Sequence, residues 1–123
     1  VQSRAGVGGK LAKGYAFGEV FWIPHTVWGL SDDHMGCAVG PWVSPMTQFA
    51  LCSSMEPRVG RDSGRYYESR SALFRKQPTF IYLNQIRMLE ARDLRRQAGM
   101  IDADELEGLR LAMVNYALLK GLK

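Results

Sequence analysis

The sequence predicts a mainly β domain finished by C-terminal helices, and three observations carry that prediction. Short aromatic and β-branched runs, punctuated by glycine and proline, fill the chain from Phe17 to Arg87. The segment after them is charged and rich in helix formers. Beyond it, Leu106, Leu109, Met113 and Tyr116 repeat as one apolar stripe at helical spacing. At 123 residues the chain is sized for one domain, and it can bury a core without help from disulfides or a metal.

Residues 1–16, basic and glycine-rich, read as a flexible arm ahead of a single domain over 17–123. Residues 17–23 have strand character and stop at Pro24. Residues 24–35 carry Gly29 and the run Ser31-Asp32-Asp33-His34, so a long loop is expected there, the kind of segment in which function tends to sit. Strands follow near 36–43 and 47–53, separated by Ser44-Pro45, and Trp42 in its apolar run is expected in the core. Pro57, Gly60 and Gly64 mark a loop over 54–64. Residues 65–73 alternate as a solvent-facing strand, with Tyr66, Glu68 and Arg70 on one face and Tyr67, Ser69 and Ser71 on the other. After Pro78, the run from Thr79 to Arg87 reads as a buried strand. Residues 90–98 suit a short helix closed by Gly99, and Asp102 with Glu105 three residues on has the spacing of a capping box for the last helix.

The net charge of +4 is unevenly spread. No lysine or arginine lies between Gly14 and Pro57, whereas the stretch from Pro57 to Ala98 holds ten basic residues against four acidic ones, a net +6. Such a segment can attract a polyanion or simply solvate strand edges and a short helix. Cys37 and Cys52 lack the spacing of a zinc or redox site and fall in apolar runs, so buried, reduced thiols and a cytoplasmic setting are expected. No run reads as a membrane span.

Several strings together resemble the MazF/PemK family of toxin–antitoxin ribonucleases. Phe80-Ile81-Tyr82-Leu83-Asn84-Gln85-Ile86-Arg87 is similar to that family's buried strand ending in Gln-(Ile/Val)-Arg, and it is followed by Leu94, Gly99 and a terminal helix. Gly18-Glu19-Val20-Phe21-Trp22 resembles the family's first strand, Pro24 through Gly29 its Pro-x-x-Gly segment, and Ser44-Pro45 the turn before its third strand. The resemblance runs from residue 17 to about 120. It implies an SH3-like MazF/PemK/CcdB-type barrel with a long terminal helix. It also implies a homodimer, a cognate antitoxin partner, and cleavage of single-stranded RNA with no metal or other cofactor.

That chemistry needs a group to take the ribose 2′-hydroxyl proton, charge stabilisation for the phosphorane, and a donor to the leaving oxygen. Laid on the family pattern, His34 matches a histidine, but Met35 stands where the family carries its arginine. The lack of any cation between 14 and 57 means no small shift of alignment restores it. Ser53 or Ser54 falls at the family's strand-end hydroxyl, and Arg58 on the following loop is the candidate replacement cation. The resemblance thus implies catalytic roles for His34, Ser53, Ser54 and Arg58, with His25, Trp28, Asp33, Arg61 and Arg65 as RNA contacts. The competing expectation is a degenerate barrel that binds RNA or a protein partner without cutting. A gyrase-poisoning toxin shares the fold, but the ending Tyr116-Ala117-Leu118-Leu119-Lys120-Gly121-Leu122 lacks the Trp-Gly-Ile such proteins carry.

Overall fold

The computed structural model describes residues 15–43, 45–75 and 77–121, without the side chains of 41–43. The expectations for Trp42, for Ser44 and for most of the N-terminal arm lie outside the described residues. Six strands, β1 (Glu19–Ile23), β2 (His34–Val43), β3 (Met46–Ser53), β4 (Tyr66–Ser69), β5 (Thr79–Leu89) and β6 (Gln97–Met100), form one sheet in the order β4-β5-β3-β2-β1-β6. Every neighbouring pair is antiparallel. A one-turn helix α1 (His25–Trp28) follows β1, and the long helix α2 (Leu106–Gly121) ends the chain. This is the mainly β sheet with a terminal helix that the sequence predicts. Among the described residues, no helix is long and apolar enough to cross a membrane.

Strand alternation divides the apolar residues between the two faces of the sheet. On the face under α2, Val20, Cys37, Ala50, Cys52, Ile81 and Leu83 pack with Leu109, and the helix stripe adds Leu106, Met113 and Tyr116. Both cysteines are buried free thiols there, and burial pushes the Cys37 thiol up to about 12. On the other face, Phe21, Ile23, Ala38 and Phe49 pack against Trp28 of α1. A fully buried aromatic such as Phe49 contributes about 1.5–3 kcal/mol by area alone. Its ring makes edge-to-face contacts with Phe21 at 6.1 Å and Tyr15 at 5.8 Å between centroids.

Three local expectations are corrected. Residues 90–98 do not form a helix. Asp93 and Glu90 cap a single 3-10 turn over Ala91–Asp93, and the chain then extends as β6. The outer edge of β1 would otherwise be unpaired, and β6 satisfies it, with flanking bonds Trp22 N to Arg96 O and Arg95 N to Trp22 O. The strand expected over 65–73 stops at Ser69 and gives way to a 3-10 turn over Ala72–Phe74. The Asp102/Glu105 capping box does not form either. Ser69 Oγ donates to Glu105 Oε1 at 2.6 Å and Arg70 N to Oε2 at 3.0 Å, while Ala72 N donates to Asp102 Oδ2 at 3.2 Å. Both carboxylates serve the backbone after β4, whose donors have no strand partner, and so pin the start of the last helix to the sheet.

Tyr67 packs beside this network, and burial together with the Glu105 charge pushes its phenol up to about 12. The folded protein therefore holds that proton more tightly than the unfolded chain, whose tyrosines ionise near 10. The associated stability is fully present below pH 10 and is lost as pH rises from about 10 to 12. Urea midpoints measured across that window should fall with pH in the wild type and fall less in Tyr67→Phe.

Candidate nucleic-acid interface

The pairing of β2 with β3 matches Gly36 to Leu51, and Trp28, Phe49 and Leu51 mark the α1 face. His34 and Ser53 lie two residues further along, toward the same end of the sheet, so both stand on that face on adjacent strands. His34 is half-buried, and its Nδ1 is 2.9 Å from Asp32 O. A carbonyl only accepts, so this contact places the proton on Nδ1 and leaves Nε2 as the basic nitrogen of the neutral ring. Ser53 Oγ accepts from Met55 N at 3.1 Å, which leaves its hydroxyl proton available to another acceptor. Ser54 is exposed beside it.

His25 opens α1 just beyond the β1 residue that pairs with His34. Asp33 Oδ1 accepts both His25 N at 2.7 Å and His25 Nδ1 at 3.0 Å. The imidazole contact, helped by that backbone bond, holds the Asp33 carboxyl below its usual range. Asp33 is thereby occupied in orienting His25, whose side chain is about half exposed. Spacing alone did not reveal this pair.

Met35, where the resemblance expects arginine, points to the other face and packs against the core under α2. An arginine there would have to bury its charge, which accounts for an apolar residue at this position. Trp28, expected among the RNA contacts, is only 5% exposed and belongs to the core on the α1 face. Gly36 makes room for it: a Cβ at that position would lie 2.4 Å from Ile23 Cδ1 and 3.0 Å from Trp28 Cζ2. With that burial the indole is a packing surface rather than an exposed stacking platform.

Strands β3 and β4 flank β5 and run parallel, so residues 54–65 must cross over the sheet to connect them. Tyr82, opposite Leu51 on the α1 face, donates from Oη to Met55 O at 2.7 Å. The loop is organised internally by Asp62, a buried carboxylate that accepts from Arg58 N at 2.6 Å and from the Arg61 guanidinium at 3.0 Å. That guanidinium holds the Asp62 carboxyl below the usual carboxylate range. Arg61 is thus half of an ion pair, whereas the Arg58 side chain is exposed and has no carboxylate partner among the described residues. Arg65 bonds Arg61 O at 2.9 Å and lines a shallow pocket of about 250 Å³ with Tyr116, Leu119 and Lys120 of α2. The structure therefore brings His34, Ser53 and the start of the crossing loop to one end of one face, and sets Arg65 apart beside α2.

The fold and this placement define the class: a MazF-like sheet of six antiparallel strands with a terminal helix, crossed by a basic loop. Among solved structures, the chain is similar to that of the MazE–MazF complex (Form-II) from Deinococcus radiodurans, with a TM-score of 0.58 at 18% identity. That match covers 84% of this chain and 92% of the other, and it is a likeness of fold. No family model matches the chain, and no curated protein matches it in sequence.

Proposed function

We propose that this chain is the toxin of a type II toxin–antitoxin pair, a metal-independent endoribonuclease that cuts single-stranded RNA on the α1 face. The observation that carries this reading is the placement of His34 and Ser53 on the same face of adjacent strands, at one end of a MazF-like sheet. In the reaction, the ribose 2′-oxygen attacks the adjacent phosphorus while its proton passes to His34 Nε2. The bond to the 5′-oxygen breaks, leaving a 2′,3′-cyclic phosphate and a 5′-hydroxyl. His25, held by Asp33 at Nδ1, enters the step as the imidazolium and gives its own Nε2 proton to that leaving oxygen. The Ser53 or Ser54 hydroxyl donates to a phosphate oxygen, and Arg58 offsets the charge that builds on the phosphorane. The likeness to a MazE–MazF complex supports an antitoxin partner, and the family resemblance supports a homodimer in the cytoplasm.

The test is incubation of the purified protein with a long single-stranded RNA in EDTA, wild type beside Arg58→Ala. Cleavage that leaves cyclic phosphate ends, slowed about 10²-fold in the variant, is the expected result. RNA retarded on a gel but left intact would replace the nuclease with the second reading, a binding barrel. That reading draws on the missing arginine at Met35. RNA neither bound nor cut would end the nuclease reading and leave of the second only a barrel that binds a protein partner.

A further inference from the structure

Arg87 is the only lysine or arginine at a described strand position of the α1 face. It pairs with Phe49 across the β3–β5 ladder, and its side chain is half-buried. Nη1 donates to Ile86 O and Nη2 to Trp28 O, each at 3.3 Å. The guanidinium carbon lies 5.8 Å from the centroid of the Trp28 ring. Trp28 Nε1 in turn donates to His34 O at 3.3 Å, so a single indole separates Arg87 from the backbone of His34.

Four of the ten arginines among the described residues answer a carboxylate: Arg61 with Asp62, Arg70 with Glu68, Arg92 with Glu90 and Arg110 with Glu107. Arg87 has none among the described residues. A guanidinium carries five N–H donors, and carbonyls of this chain use two of those on Arg87. A half-buried cation with spare donors and no counter-ion is costly unless an anion completes it. It is also held in place from behind by a packed indole, so little of its entropy remains to be lost on binding.

We propose that Arg87 is a phosphate-binding residue of this face, supplying from β5 the cation that the segment before β2 does not carry. The inference rests on the RNA reading above. The RNA phosphate next to the reacting one, or the reacting phosphate itself, completes the guanidinium fork while His34 meets the ribose.

The probe is a fluorescent 2′-O-methyl RNA oligonucleotide, which cannot be cut, titrated between about 50 and 200 mM KCl. Relative to wild type, Arg87→Gln should bind about tenfold more weakly, and its slope of log affinity against log salt should be shallower by about 0.7, one phosphate contact fewer. Arg87→Lys should keep the wild-type slope. Weaker binding at an unchanged slope would mean that Arg87 only supports Trp28, and would overturn the proposal while the RNA reading stands. If Arg87→Gln does not fold, the wild-type protein decides. RNA should protect Arg87 from phenylglyoxal, read by mass spectrometry, and modification at the unprotected rate would refute the contact. Failure of the wild type to bind the oligonucleotide at any salt would sink the RNA reading and this inference with it.

Discussion

Replacing His34 with alanine is expected to slow metal-free cleavage of single-stranded RNA by about 10²- to 10⁴-fold, the range a positioned proton-transfer group supplies. The melting temperature should barely change. His34 sits at the first position of β2 with its ring half-buried, and its one side-chain hydrogen bond is local, to Asp32 O. Nothing in either core depends on the imidazole. The loss should therefore appear in turnover and not in RNA affinity, since a proton acceptor acts on the transition state more than on the bound substrate. Equal cleavage by His34→Ala and wild type would remove this residue from the chemistry and leave His25, with its Asp33 partner, as the acid–base group.

Trp28→Ala is expected to destabilise the fold by about 3–5 kcal/mol, a large fraction of what holds a domain of this size together. The indole is buried among Ile23, Phe21 and Phe49, and Gly36 beneath it has no side chain with which to fill the space left behind. The same substitution removes the Nε1 bond to His34 O and the surface on which Arg87 rests. Thermal melting should therefore fall by about 10–20 °C. Trp28→Phe, which keeps most of the packing but not the donor, separates the two effects. It should recover much of the stability while cleavage per folded molecule stays low. If Trp28→Phe cuts like wild type, the indole N–H has no part in holding His34.

Much of the fold was legible because the signals are local. The aromatic and β-branched runs around Phe21, Phe49 and Ile81 became β1, β3 and β5, and the stripe from Leu106 to Tyr116 became the inner side of α2. The candidate site was legible in part. His34, Ser53 and the arginines of the crossing loop could be picked out as residues. The Asp33–His25 pair could not, because an aspartate eight positions away carries no spacing signature. Arg87 was visible only as part of a strand motif, and nothing in that string says which face it takes or that Trp28 lies under it.

By itself, the sequence determined the strand-rich body, the terminal helix, the buried thiols and the want of any cation near Met35, each of which follows from residue type and short-range periodicity. The tertiary structure alone decided four things. Residues 97–100 became an edge strand, Asp102 and Glu105 turned to the β4–β5 connection, Met35 faced the core, and Arg87 came to lie beside the indole that touches His34. The physical reason is the same in each case. A strand edge, an orphan backbone donor, an apolar side chain or a guanidinium bonds to or packs on whatever the fold brings alongside it, and that neighbour is distant in sequence.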